Sequence, residues 1–333
     1  MPNMRQLIED FALHLSDSQE IAESVKNGWS VSERMPQAVV ITGLGGSGIG
    51  GTIAADYVSD VASVPVWVNK GYDLPAWVNA NTHVIACSYS GNTEETLSAL
   101  EDAMSAGAMV SAITSGGSLK ALAESNGWNM SVVPGGNPPR SMFGYAWVQI
   151  MAHLEMLQIG VDASWTDDVS AAVKSLQAKR AQHLEEAESI ADQLENCAVA
   201  VYAATGAAGV ATRWRQQLNE NSKMPAWDAE VPEMNHNEMV GWAGGGAHFA
   251  AVFLHTDGDA PRNTTRMQLN AEAIAESGST VVNIEASGDS QIEQLLDMIA
   301  LGDWVSYVLS ERNGVDIMDI QVIDRLKEAL SKL

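Results

Sequence analysis

The chain has 333 residues, 46% of them hydrophobic, enough to build one large core or two moderate ones. Its 18 Lys and Arg stand against 42 Asp and Glu, a formal net charge of −24. That balance excludes nucleic acid and anionic membrane as natural partners, since both need a basic face, and no apolar run in the sequence reaches membrane-spanning length.

Roughly the first 30 residues read as an amphipathic helix, with Glu9 and Asp10 interrupting an apolar spacing that is not a signal peptide. From about Gln37, short apolar runs alternate with helical segments. Ala38–Ile41 predicts a strand that runs into Gly43-Leu44-Gly45-Gly46-Ser47-Gly48 and a helix toward Tyr57. Further strands are expected at Val64–Val68, His83–Cys87, Met109–Ile113 and Met130–Val133, with a helix over Glu94–Ala106. Strands separated by helices imply a parallel sheet covered on both faces. A helix from Met142 to about Leu157 closes this unit, and the alanine-rich, charged stretch 162–195 is expected to be a connecting helix. The opening pattern then recurs. Ala198–Tyr202 leads into Thr205-Gly206-Ala207-Ala208-Gly209 and a helix through Arg213–Asn219, with strands at Phe249–Leu254 and Thr280–Asn283 and helices over Gln291–Leu309 and Gln321–Leu330. The expected organisation is an N-terminal helical segment (1–34), a first α/β unit (35–160), a connecting helix (161–195) and a second α/β unit (196–333). Cys87 and Cys197 both lie in apolar strand-like runs, which points to core thiols in a reducing compartment and hence to the cytoplasm.

The chemistry concentrates at strand ends. Ser88-Tyr89-Ser90-Gly91-Asn92-Thr93 lies where a buried strand hands over to a helix. Unpaired N–H groups and the positive end of the helix dipole make such a junction a seat for a phosphate monoester. Hydroxyl groups bind that guest without adding charge, and Gly91 lets the backbone come close. Ser47 puts another hydroxyl at a neighbouring strand end, so Ser47, Ser88, Ser90 and Thr93 can converge on one anion. Such local donors are needed, because the global field of this chain repels anions. Gly43-x-Gly45-x-x-Gly48 also fits the dinucleotide fingerprint, but the next strand ends Val68-Asn69-Lys70-Gly71, with no acid to hold a ribose until Asp73. A nicotinamide-dependent oxidoreductase is therefore a rival reading, and a non-catalytic sugar-phosphate sensor is another. The seven histidines are scattered and the cysteines are not paired, so neither a metal nor a cofactor is expected.

Three candidates for proton chemistry stand out. Glu220 is flanked by neutral amides in Gln216-Gln217-Leu218-Asn219-Glu220-Asn221. His236 is boxed by Asn235 and Asn237, which can fix its tautomer. A carboxylate and a histidine together suit proton transfer at a carbon beside a carbonyl, with the histidine helping to open a sugar ring. Arg140, on the loop Gly135-Gly136-Asn137-Pro138-Pro139-Arg140, can neutralise an enediolate or a phosphate.

Gly45-Gly46-Ser47-Gly48, the Ser88–Thr96 loop, Asn137-Pro138-Pro139-Arg140 and Glu233-Met234-Asn235-His236-Asn237 together resemble the bifunctional phosphoglucose/phosphomannose isomerases of the sugar isomerase (SIS) superfamily. The resemblance implies two SIS-type three-layer α-β-α units, each with a mainly parallel sheet flanked by helices. It implies an aldose–ketose isomerase of glucose 6-phosphate and fructose 6-phosphate, with mannose 6-phosphate as a further substrate. By the same resemblance Gly46, Ser47, Ser88, Ser90 and Thr93 hold the phosphate, Glu220 is the base and Arg140 stabilises the enediolate. His236 opens the ring from the partner subunit of a homodimer, and a C-terminal lysine, Lys327 rather than Lys332, acts near the ring oxygen. Relatives often carry a Pro-Thr-Pro-like segment before that lysine, whose threonine is tied to accepting both epimers. This chain reads Asp316-Ile317-Met318-Asp319-Ile320-Gln321 instead, which leaves mannose 6-phosphate to experiment. An isomerase acting on an amino sugar phosphate is a close alternative.

Overall fold

The computed structural model describes residues 3–30, 34–330 and 332; the rest of the expected N-terminal segment (1–2 and 31–33), with Ser331 and Leu333, lies outside the described residues. The N-terminal helix is two helices, α1 (Met4–Glu9) and α2 (Phe11–Asn27). The Asn3 side chain caps α1 by accepting from the Gln6 N–H, and the chain breaks at Asp10. The break directs Met4, Leu7 and Ile8 into the same core as Phe11, Ala12 and Leu15.

The first unit runs β1 (Ala38–Thr42), α3 (Gly45–Val58), β2 (Val66–Asn69), β3 (Thr82–Ser88), α4 (Glu94–Ser105), β4 (Met109–Thr114), α5 (Gly117–Asn126) and β5 (Asn129–Val132). A 3₁₀ turn, Pro139–Met142, and α6 (Phe143–Met156) complete it, and the long α7 (Trp165–Leu194) follows. The second unit runs β6 (Ala198–Ala204), α8 (Ala208–Glu220), β7 (Ala226–Val231), α9 (Glu238–Gly241), β8 (Phe249–His255), α10 (Pro261–Glu276), β9 (Thr280–Glu285), α11 (Gln291–Arg312) and α12 (Gln321–Leu330). Among these, α5, β7, α9 and α10 were not expected from the sequence.

The strand orders are β2-β1-β3-β4-β5 and β7-β6-β8-β9, and every pairing is parallel. Each outer sheet face has its own cluster: Val40, Val84 and Ala86 pack with Leu100 and Leu119, and Tyr202 and Phe253 pack with Met267 and Ile274. The two inner faces share one continuous core, built through α3, α6, α7, α8 and α11, in which Trp147, Trp165 and Trp214 are fully buried. Cys87 and Cys197 are buried free thiols. No helix among the described residues is long and apolar enough to cross a membrane.

Candidate active site

The order β2-β1-β3-β4-β5 reverses direction between β1 and β3, and a doubly wound sheet opens its crevice at the strand C-termini where that happens. The loops after β1 and β3 carry the serines. Ser47, in the first turn of α3, accepts a hydrogen bond on Oγ from the Tyr89 N–H at 3.2 Å, which ties the two loops together. Ser88 Oγ lies 2.8 Å from Thr93 Oγ1 and accepts the Thr93 N–H at 3.4 Å. Ser90 Oγ accepts the Asn92 N–H at 3.2 Å. Ser47 and Ser88 are buried, Thr93 is half-buried and Ser90 is exposed. Neither α3 nor α4 has a side-chain cap among the described residues, so both helix N-termini keep donors for a guest. Beneath them, burial pushes the Cys87 thiol up to about 12, so it stays an inert core group.

Gly46 explains how the crevice reaches Arg140. A Cβ there would meet the Pro139 carbonyl oxygen at 2.8 Å, so only glycine lets α3 pack against the 3₁₀ turn that carries the arginine. Arg140 is 4% exposed, and its guanidinium is held from three sides. Nε donates to Asn221 Oδ1 at 2.7 Å, Nη1 to Glu220 Oε1 at 2.9 Å and Nη2 to the Ile317 carbonyl at 2.6 Å. Burial pulls its pKa down from the ordinary value, and the Glu220 carboxylate opposes that. Beneath it, Arg213 donates to the Arg140 carbonyl at 3.2 Å and to both oxygens of Asp303 at 2.7 and 2.9 Å, with its guanidinium 4.4 Å from the Phe143 ring centre. Asn221, Arg213, Asp303 and Tyr89 are supports that sequence reasoning missed. Only the placement of charges in an acidic chain hinted at Arg213.

Glu220 ends α8, and its side chain is 31% exposed. Glu220 therefore belongs to the second unit, yet it shares a cavity of about 270 Å³ with Gly45, Gly46 and Arg140 of the first and Ile323 of α12. The fold thus brings Glu220, Arg140 and the glycine–serine loop together.

His236 is not among them. It follows β7, while Glu220 precedes it, so about 20 Å of strand lies between the two ends. His236 is exposed, at the opposite end of the second sheet. Lys327 is also exposed, but it lies four residues after Ile323, on the same face of α12 and one turn further along. Lys332 is paired with Glu328 at 2.7 Å.

The second sheet has an equivalent crevice between β6 and β8, and it is furnished differently. The N–H of Gly209, in the first turn of α8, donates to Asp56 Oδ2 of α3 at 2.8 Å, with Glu230 near the C-terminal end of β7 and Asp259 on the loop after β8. A carboxylate of the protein itself occupies the helix end that the first unit leaves open. At the end of β2, Asn69 bonds Thr42 and Gly71, where a dinucleotide site would place an acid.

The chain is similar to known proteins over most of its length. A model of the bacterial phospho-glucose isomerase C-terminal SIS domain matches residues 183–330. A bifunctional phosphoglucose/phosphomannose isomerase of Caldicellulosiruptor bescii is 38% identical over 307 residues, covering 89% of this chain and 90% of the relative. Its counterpart in Aquifex aeolicus is 33% identical over 299 residues, covering 89% and 91%. Among solved structures, the C-terminal domain of glucosamine-fructose-6-phosphate aminotransferase from Francisella tularensis superposes with a TM-score of 0.74 at 12% identity, covering 94% of this chain and 96% of that one. This last likeness carries the fold alone.

Proposed function

The chain belongs to the bifunctional phosphoglucose/phosphomannose isomerase family, and on that premise we propose that it interconverts glucose 6-phosphate and fructose 6-phosphate through a cis-enediolate, with Glu220 as the base. The observation that carries this reading is the Arg140–Glu220 contact at 2.9 Å, which joins a carboxylate of one unit to the hydroxyl-lined crevice of the other. The phosphate sits at the N-termini of α3 and α4, bonded by Ser47, Ser88, Ser90, Thr93 and the Gly46 N–H. Binding at that remote end positions C1 and C2 of the open-chain sugar against Glu220. Glu220 takes the proton from C2 of the aldose to give the enediolate and delivers it to C1 as the hydroxyl proton passes from O2 to O1, giving the ketose; the reverse reaction retraces the path. Three of the five Arg140 N–H donors are engaged by the protein, which leaves two for the enediolate oxygens.

Ring opening falls to His236 of a second copy and to Lys327. The separation of His236 from Glu220 within one chain is compatible with this: an exposed histidine at the far end of the sheet is out of reach of its own chain's Glu220 and open to a second chain. The protein is then a homodimer with shared sites. The planar enediolate loses the C2 configuration, so mannose 6-phosphate is a substrate if the pocket tolerates both hydroxyl orientations. The test is incubation with fructose 6-phosphate and separate enzymatic readouts of glucose and mannose 6-phosphates, for wild type and Glu220→Gln. Aldose formed by the wild type and not by Glu220→Gln supports the reading; an inactive wild type that still binds the sugar phosphate returns it to the sensor.

A further inference from the structure

We infer that Lys223 is a positioning residue that holds α12 against the pocket by clamping the main chain of segment 316–320. The inference rests on the proposed isomerase site. Lys223 follows α8 by three residues and has φ of +56°, a left-handed conformation uncommon for a lysine. Its Nζ donates to the Glu220 carbonyl at 2.5 Å and to the Asp319 carbonyl at 2.7 Å. One ammonium group thus joins the residue proposed as base to the chain that leads into α12.

The helix needs such a hold. No residue of α12 is buried, and Val322, Ile323, Leu326 and Leu330 are all exposed. Its position is therefore set by the segment before it. That segment is gripped through backbone carbonyls by two cations of the site, Arg140 at Ile317 and Lys223 at Asp319. Between the end of α8 and the start of α12 lies a cavity of about 500 Å³, lined by Asn219, Glu220 and Lys223 on one side and by Asp319, Ile320 and Ile323 on the other. Ile323 also walls the cavity beside Gly46 and Arg140. Moving Asp319 moves Ile323, and one turn further along moves Lys327.

The stretch Asp316–Gln321 has no proline to stiffen it, and the two cations supply the constraint. Because the bonds run to carbonyl oxygens, they tolerate any side chain at 317 and 319.

The test compares Lys223→Asn, which accepts the left-handed backbone but cannot reach Asp319, with Lys223→Arg, which keeps a long cationic donor. Steady-state kinetics on fructose 6-phosphate are measured with amide hydrogen exchange of residues 316–324, using β1 and β3 as internal reference. Expected for Lys223→Asn are a fall in kcat/KM of about ten-fold or more, carried mainly by kcat, and faster exchange confined to 316–324. Lys223→Arg is expected to recover most of both. In a Lys327→Ala background the Asn substitution is expected to cost little more, because its effect passes through α12. Unchanged exchange in 316–324, equal acceleration in β1 and β3, or an Arg variant as impaired as Asn overturns the clamp. An inactive wild type would instead overturn the isomerase reading, and the exchange arm would still decide the clamp.

Discussion

At the residue scale, the proposed site is a division of labour between neutral and charged groups. Glu220→Gln keeps an oxygen for Arg140 Nη1, so it is expected to fold and bind sugar phosphate while kcat falls about 10²- to 10⁴-fold, the usual loss for a general base. Ser88→Ala with Thr93→Val removes a hydroxyl pair held at 2.8 Å. It is expected to raise KM about ten-fold or more, since each bond to a charged oxygen is worth roughly 1.5–3 kcal/mol. Steady-state kinetics on fructose 6-phosphate check both. The serines, Arg140 and Glu220 stand out as candidates because small hydroxyls and isolated charges at strand and helix ends have few other uses in so acidic a chain, and the fold brings Arg140 and Glu220 to one cavity with the glycine loop. Asn221 and Asp303 do not, because their role depends on contacts across 81 residues, Arg140 to Asn221, and 90 residues, Arg213 to Asp303. Nothing local in the sequence marks such pairs.

At the scale of elements, apolar runs located the central strands, and failures came where burial is one-sided. The edge strand β7 alternates Trp227 and Ala229, packed on the outer cluster, with Asp228 and Glu230, which meet Arg215 and Thr205. With half its residues polar it does not read as a buried strand. Helix α5 buries only Leu119 and Ala123, too few to reveal a period. Helix α10 does bury Met267, Asn270, Ala271 and Ile274 at helical spacing, but behind a polar first half. Two element contacts yield expectations. Asp56 fills the N-terminus of α8, so Asp56→Ala is expected to destabilise the protein by about 1–2 kcal/mol in chemical denaturation. Asp56→Asn, which keeps the acceptor, is expected to cost less, since burial already disfavours the Asp56 charge. Under the first sheet, His153 bridges Ser111 at 3.0 Å and Ser131 at 2.9 Å, and Ser111 reaches His83 at 2.9 Å. Burial pushes His83 down to about 4 and His153 to about 3. Both are neutral in the fold, while the unfolded chain protonates near the ordinary histidine value of about 6.5. The unfolded state therefore binds more protons below that pH. Their contribution is full above about 6.5 and is lost as pH falls toward 4 and 3, at up to about 1.4 kcal/mol per pH unit for each histidine. Urea denaturation between pH 7 and 4, with His153→Gln as comparison, is expected to show a shallower acid loss in the variant.

For the whole molecule, two facts dominate: a net charge of −24, and a cavity at the junction of two similar units, lined by Arg140 of one and Glu220 of the other. The first repels anions at long range, while in the proposed reading hydroxyls, helix ends and Arg140 attract the sugar phosphate at contact. Raising ionic strength from about 10 to 150 mM is therefore expected to raise kcat/KM, the opposite of an electrostatically steered enzyme. On the proposed reading the second makes each unit incomplete: the first supplies the anion crevice and the second the carboxylate, while Asp56 occupies the helix end in the second unit's own crevice. If His236 completes the site from another copy, mixing inactive His236→Asn and Glu220→Gln chains is expected to restore up to about a quarter of wild-type activity, because half the dimers then hold one intact site. No recovery after subunit exchange would place His236 outside the chemistry. The most direct test of the junction itself is hydrogen transfer from solvent. Fructose 6-phosphate is incubated in D₂O with wild type and with Glu220→Gln, and the sugars are followed by NMR. Deuterium at C2 of the aldose with wild type, and none with a Glu220→Gln protein that still binds the ketose, is the expected result. Aldose formed without solvent deuterium, or exchange undiminished in Glu220→Gln, would contradict it.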